Sequence, residues 1–247
     1  SSFSLLPQGV LVHYKELLDE IRKVILKHAH PTRIYLYGSR ATGEVGETSD
    51  IDVAYDDREC KEAHLIEEEI QKIPTLIKID VKNIAFTEER FRNRVIATGK
   101  VLFSATKKLR FEDGFHNFQK AYERFANVVD RKEEFYKEGY SDIYLDLVVK
   151  RFEFTYEMSW KCIKRYLDYI GIECHSPRDC FKEAFSQKAI ADETIWIDMI
   201  EQRNISSHVY DEDEIKEILC NIGDYKKAFQ GLLQTLEERL KRENLKG

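Results

Sequence analysis

No uninterrupted apolar stretch in these 247 residues is long enough to span a bilayer, and no apolar h-region opens the chain. Membrane insertion and secretion are therefore not expected, and the expected compartment is the cytoplasm. No C-x-x-C pair occurs either. The five cysteines (Cys60, Cys162, Cys174, Cys180 and Cys220) are scattered and odd in number. That excludes a zinc-type spacing and leads us to expect reduced thiols acting as small buried hydrophobes. His13, His28, His30, His64, His116 and His175 form no ligand spacing, so metal binding by them is not expected. Positive charge is not in excess: the formal net charge is −6, which gives no general affinity for nucleic acid and leaves only a local basic site open. There is no internal repeat and no low-complexity segment. What is present is a chain with 43% hydrophobic and 12% aromatic residues, enough to fill the core of one large domain or two small ones.

The pattern changes character part-way along. Tyr14, Leu17, Leu18, Ile21, Val24 and Ile25 recur at three- and four-residue spacings, which predicts a helix over 11–29 that Pro31 stops. Ile34 to Tyr37 reads as a buried strand entering a turn at Gly38-Ser39, 43–49 as a loop, and Ile51 to Tyr55 as a second strand. A helix is predicted over 59–72, with Glu67-Glu68-Glu69 on its solvated face. Ile77, Ile79 and Val81 alternate with Lys78, Asp80 and Lys82, the period of a half-buried strand. A helix over 87–98 and a short strand at 101–103 follow. Near residue 107 the strand signals almost vanish. Aromatic stripes at helical spacing predict helices over 112–136 and 142–170, with Trp160 and Trp196 in a bundle core and Gly171 as a stop. Ser176-Pro177 caps a helix over 177–188; another is predicted over 192–205, and a last long one from the Asp211 to Asp213 cap to about 243. The fold expected is α+β: an N-terminal α/β domain over 1–106, then an antiparallel helical bundle over 107–247.

The chemistry in the first domain gathers around Gly38-Ser39-Arg40 and, ten residues after Arg40, Asp50-Ile51-Asp52-Val53. Alternate residues on a strand face one side, so Asp50 and Asp52 point together with Ile51 and Val53 behind. Like charges side by side repel unless cations lie between them. Magnesium takes oxygen ligands, commonly a few carboxylates plus substrate phosphates. Asp80 supplies a third carboxylate if its strand lies beside that of Asp52. Gly38 allows close approach of backbone to a phosphate, Ser39 adds a hydroxyl, and Arg40 a guanidinium fork. Read singly, a D-x-D pair is two solvated surface charges and a Gly-Ser is a turn. In this order and context they resemble the signature of the polymerase-beta-like nucleotidyltransferases. The Gly-Ser-Arg-Ala opening and the wording Ser49-Asp50-Ile51-Asp52 are similar to the minimal nucleotidyltransferases of prokaryotes, over about residues 11–105. Thr42 departs from the basic residue that many members carry there. The resemblance implies that Gly38, Ser39 and Arg40 bind the nucleotide, an NTP with ATP expected. It also implies that Asp50, Asp52 and Asp80 hold two magnesium ions for in-line attack of a hydroxyl on the α-phosphorus.

In the second domain Arg203, His208 and Tyr210 close one helix and its exit. On spacing alone they are a helix end whose Arg and His satisfy carbonyls and whose Tyr packs. The triad Arg203-x4-His208-x-Tyr210 resembles the HEPN motif, however. Phe152-Glu153 through Trp160-Lys161, Ser176-Pro177-Arg178, Trp196 and Arg203-Asn204 through Tyr210-Asp211 are similar to the HEPN-like nucleotidyltransferase substrate-binding proteins, over about residues 112–240. That family usually stands beside a separate minimal nucleotidyltransferase, and such pairs are similar to toxin–antitoxin systems. The resemblance implies a homodimer through the helical domain. It also implies either RNA cleavage at Arg203 and His208 or AMP transfer to Tyr210. A transferase with a small-molecule acceptor, as in the aminoglycoside nucleotidyltransferases, is the alternative enzyme, and a noncatalytic dimerisation and binding module is the alternative without one.

Overall fold

A computed structural model describes residues 5–42, 49–206 and 212–244. The chain divides into two compact units, 1–106 and 107–247.

The first unit is a four-stranded mixed sheet with helices on both faces. Its helices are α1 (Leu5–His28), the single turn α2 (Ser39–Thr42), α3 (Ala63–Gln71) and α4 (Glu89–Thr98). Its strands are β1 (Arg33–Tyr37), β2 (Ile51–Tyr55), β3 (Ile79–Asn83) and β4 (Lys100–Ser104), in the order β3-β2-β1-β4. Strand β1 pairs antiparallel with β2 and β4, and β2 pairs parallel with β3. The alternation of side chains divides the sheet cleanly. Ile34, Leu36, Ile51, Val53 and Tyr55 are buried with Leu17, Ile21 and Ile25 of α1 and Ile66 and Ile70 of α3. Tyr35 and Ala54 are buried on the opposite face, against Val95 of α4 and Ile84 of the 3-10 turn Ile84–Phe86. A one-residue slip of β2 would bring Asp52 into the larger core, so the apolar set fixes the register.

The helix predicted over 59–72 begins only at Ala63, because Asp57 Oδ1 accepts the Glu59 amide at 2.9 Å and holds the preceding residues in a turn. The strand expected from Ile77 is shorter, β3 starting at Ile79; Thr75 Oγ1 instead accepts the Ile77 amide at 3.1 Å.

The second unit consists of α5 (Lys107–Asp130), α6 (Lys132–Lys137), α7 (Ser141–Tyr169), α8 (Pro177–Ser186), α9 (Glu193–Ser206) and α10 (Glu212–Asn244). The polar run Lys107 to Arg110 forms the first turn of α5. Lys107 Nζ is 2.8 Å from Asp168 at the end of α7, so α5 and α7 run antiparallel. Lys226 of α10 pairs with Asp130 at the end of α5, while Arg239 near the end of α10 donates to the Tyr166 hydroxyl near the end of α7. Helix α10 therefore also runs antiparallel to α5. The helix predicted over 112–136 is two: the chain breaks at Arg131, whose side chain turns to Glu134 at 2.7 Å.

Aromatic rings fill this core. Phe229 lies edge-on to Phe118, Phe125 and Trp196, with centroids 6.0, 5.9 and 5.7 Å away, and Phe152 stacks on Tyr225 at 5.1 Å. Edge-to-face geometry adds about 0.5–1.5 kcal/mol per pair to area burial. Trp196 is buried as expected. Trp160 is not: it lies at the edge of the core and its indole N–H donates to Glu157 Oε2 at 2.8 Å. The expected signals at the α7–α8 junction are present. Gly171 takes φ +84° after the last turn of α7, and Ser176 Oγ accepts the Asp179 amide at 3.2 Å ahead of Pro177. This junction also corrects the expectation of reduced thiols. Cys174 and Cys180 are joined in a disulfide with Cα atoms 5.1 Å apart, close enough only because the cap folds the chain back between them. The buried-hydrophobe reading holds for Cys162, which is fully buried, while Cys220 is exposed. Among the described residues no helix is long and apolar enough to cross a membrane.

Candidate active site

The site residues of the first unit are set by the strand register. Tyr37 at the end of β1 stands opposite Asp52 on β2, and Asp52 opposite Asp80 on β3, so one row across three strands reads Tyr37, Asp52, Asp80. Neighbouring strands lie about 4.8 Å apart, which brings the two carboxylates side by side. Ile51 and Val53 are fully buried behind Asp52, as the alternation required. Asp50 precedes β2 and is more exposed than Asp52 or Asp80, with Lys78 Nζ 4.0 Å from its Oδ2.

Electrostatics mark Asp52 as the strained member. Burial is the first cause that pushes its carboxyl above the usual carboxylate range; repulsion from Asp80 and then Asp50 adds to it, and Lys82 and Lys78 oppose it. The neighbouring Tyr37 phenol is also raised, first by burial, with Lys82 opposing and Asp80 and Asp52 reinforcing. Its hydroxyl is buried and faces the Lys82 ammonium. Lys82, two residues after Asp80 and on the same face, places Nζ 2.9 Å from Asp80 Oδ2 and 5.8 Å from the Phe91 ring centre. Phe91 meets Tyr37 edge-on at 5.6 Å.

Gly38 follows this row with φ +73°, a conformation that side-chain-bearing residues rarely adopt. A Cβ on Gly38 would come within 2.4 Å of Asp52 Oδ2. The backbone of the Gly38-Ser39 turn is thus packed directly against the carboxylate, which is why glycine is required here. Arg40, expected to offer a guanidinium fork, makes contacts within the chain. Its Nε donates to the carbonyl oxygens of Ser49 at 2.8 Å and Asp50 at 3.2 Å, and its guanidinium lies 4.8 Å from the Tyr14 ring centre. In this structure Arg40 ties down the segment that carries Asp50.

Among the described residues no three His, Cys, Asp or Glu side chains close on one metal position. The donor set suits a different mode. Magnesium usually takes one or two carboxylates and completes its shell with water and substrate phosphates, not with an all-protein cage. Asp52 and Asp80, adjacent and mutually repelling, fit that requirement, and a cation between them relieves the strain on Asp52.

In the second unit Arg203 lies in the last turn of α9; His208 and Tyr210 lie outside the described residues. Two residues of α7 face Arg203 that the motif alone does not reveal. Burial pushes the Tyr156 phenol up to about 12 against the opposing charge of Arg203. Burial works against the Glu157 carboxylate, but hydrogen bonds from Lys161 and Trp160, with the charges of Lys161 and Arg203, bring it below the usual range. Tyr156 and Glu157 of α7 therefore both feel the charge of Arg203. Lys82 and Tyr37 were likewise missed, although the period-two spacing of Asp80 and Lys82 already puts them on one face.

Residues 113–238 match the family model "Nucleotidyltransferase substrate binding protein like", and residues 19–108 match "Polymerase beta, Nucleotidyltransferase". The chain belongs to the nucleotidyltransferase substrate-binding family. It carries a polymerase-beta-type nucleotidyltransferase domain in the same polypeptide, the fusion that the sequence implied. It is 31% identical over 96 residues to the "Probable ribonuclease HepT" of Haemophilus influenzae, a match spanning 37% of this chain and 66% of that protein. Two solved structures are similar. One, from Haemophilus influenzae, is described as the fold of a substrate binding domain of a nucleotidyltransferase (24% identity, 50% of this chain and 98% of that one, TM-score 0.46). The other is from Thermus thermophilus (24% identity, 50% and 98%, TM-score 0.41). The α+β fold, with a small sheet first and helices after, agrees with both family matches.

Proposed function

We propose that this nucleotidyltransferase-type chain transfers a nucleoside monophosphate from an NTP, with ATP as donor, to a hydroxyl, and that Tyr210 of the substrate-binding domain is the acceptor. The observation supporting this reading is the Tyr37, Asp52, Asp80 row with the Gly38 turn pressed against it. Asp50, Asp52 and Asp80 would hold two magnesium ions. When bound, such ions lower the pKa of an attacking hydroxyl and neutralise charge on the triphosphate. The protein supplies position and field. The Gly38-Ser39 backbone and the Ser39 hydroxyl face the phosphates, and Arg40 keeps the Asp50 segment in place. The phenol oxygen of Tyr210 forms a bond to the α-phosphorus, the bond to the bridging oxygen of the β-phosphate breaks, and pyrophosphate leaves with that electron pair. The phenolic proton, held with an intrinsic pKa of about 10, passes to Asp80.

The similarity to a probable ribonuclease favours a second reading for the helical unit, RNA cleavage through Arg203 and His208. Intact-mass spectrometry after incubation with ATP and magnesium separates the two. Self-modification should give a mass gain of one AMP or more that is lost in Tyr210→Phe and in Asp52→Asn. An unchanged mass with all four NTPs rejects self-modification. RNA cleavage in EDTA that His208→Ala abolishes supports the second reading.

A further inference from the structure

Lys82 brings to the carboxylate face a charge that opposes the proposed metal ions. It lies on β3 two positions after Asp80, so both side chains rise from the same side of the sheet. Its ammonium is held from two directions: the Asp80 carboxylate at 2.9 Å, and the Phe91 ring, whose centre is 5.8 Å away. Phe91 is fixed in turn by its edge-on contact with Tyr37. Lys78, the other lysine near the row, is different: it is 77% exposed and only 4.0 Å from Asp50. A long, flexible side chain gains little by pairing at a surface unless neighbours hold it. Here an aromatic ring and a buried phenol frame it, while the oxygen it pairs with is one the proposed cation needs.

Resting on the nucleotidyltransferase reading, we propose that Lys82 is a displaceable internal counter-ion: its ammonium pairs with Asp80 in the metal-free protein, and a divalent cation must expel it to gain that carboxylate. Metal affinity is then set by competition between an intramolecular cation and a free one. The lysine weakens binding of the bare ion, and it spares the metal-free site part of the repulsion between Asp52 and Asp80. Once expelled, the ammonium stands on a flexible stem beside the row, in reach of an anionic ligand. The expected order is therefore weak uptake of the metal alone and tighter uptake of metal with nucleotide.

The test is a Mn2+ titration of the full chain, following free Mn2+ by electron paramagnetic resonance, for wild type, Lys82→Met, Lys82→Gln, Asp80→Asn and the double variant Asp80→Asn/Lys82→Met. Lys82 is half exposed, so both single lysine substitutions leave the core intact, and thermal melts check this. Lys82→Met and Lys82→Gln should each tighten Mn2+ by about three- to tenfold. In the Asp80→Asn background most of that gain should vanish, since the oxygen in contention is gone. If wild type binds Mn2+ and loses it in Asp52→Asn, yet the lysine variants bind no tighter, the counter-ion proposal fails alone. A gain that persists in full without Asp80 also overturns it, because the lysine then acts only as a distant charge. If no variant takes up Mn2+, the nucleotidyltransferase reading of the site fails as well.

Discussion

Replacing Gly38 by alanine should damage the protein in two separable ways. The first is conformational: φ at this position is +73°, and a residue with a Cβ held there costs about 1–2 kcal/mol. The second is steric. The new Cβ lies 2.4 Å from Asp52 Oδ2 and 3.3 Å from its Cγ, but 3.6 Å from its Cβ, an ordinary contact. Forcing an atom into occupied space costs about 1–3 kcal/mol more. Gly38→Ala should therefore destabilise the first unit by about 2–5 kcal/mol and displace the Asp52 carboxylate from its present position. In an Asp52→Ala background the Oδ2 and Cγ atoms are gone, and only the conformational cost of about 1–2 kcal/mol should remain. Urea unfolding of the four proteins in this cycle measures the coupling directly. A coupling energy of zero, with Gly38→Ala equally harmful in both backgrounds, would refute the claim that the turn is packed against the carboxylate.

Other perturbations test other parts of the account. Asp52→Asn should raise the stability of the metal-free protein at neutral pH by about 1 kcal/mol while abolishing nucleotidyl transfer, because two carboxylates about 5 Å apart repel by about 1–3 kcal/mol and Lys82 offsets part of that. Calorimetric melts in EDTA check the sign, and a fall in the midpoint would contradict it. His28, only 9% exposed, is hydrogen-bonded through Nδ1 to Glu62 at 2.9 Å and through Nε2 to Glu69 at 2.8 Å, so its pKa is raised above 6.5, chiefly by Glu62 and then Glu69 against the opposing effects of burial and Lys27. The stabilisation of α1 against α3 that it contributes is present below pH 6.5 and should fade as pH rises through the higher folded value. In His28→Gln this pH dependence should flatten, and a wild-type histidine that titrates at or below 6.5 by NMR contradicts the reading. Reducing the Cys174–Cys180 disulfide should cost the helical unit about 2 kcal/mol, from the short loop it closes; melting with and without reductant, and in Cys180→Ser, measures this.

The fold class was legible because two periodicities divide the chain: alternation from Ile34 to Val81, and aromatic stripes at helical spacing after residue 107. That Asp52 stands on the face opposite Ile51 and Val53 followed from the same alternation, whereas Asp50 precedes β2. That Asp80 stands opposite Asp52 could not be read locally, since the parallel pairing of β2 with β3 is a long-range event that spacing does not encode. For Arg40 the residue type alone was ambiguous: a guanidinium suits phosphate oxygens and carbonyl oxygens alike, and only coordinates show it donating to Ser49 and Asp50. The break at Arg131 was invisible because Phe135 continues the aromatic stripe across it. The disulfide escaped because six-residue spacing is uninformative until the Ser176-Pro177 cap folds the chain back.

The proposed chemistry requires that Asp52 and Asp80 bind a divalent cation together. Manganese binding by the wild-type chain, with a non-hydrolysable ATP analogue present, should be saturable and should fall at least tenfold in both Asp52→Asn and Asp80→Asn. Equal manganese affinity in wild type and the two variants would contradict it.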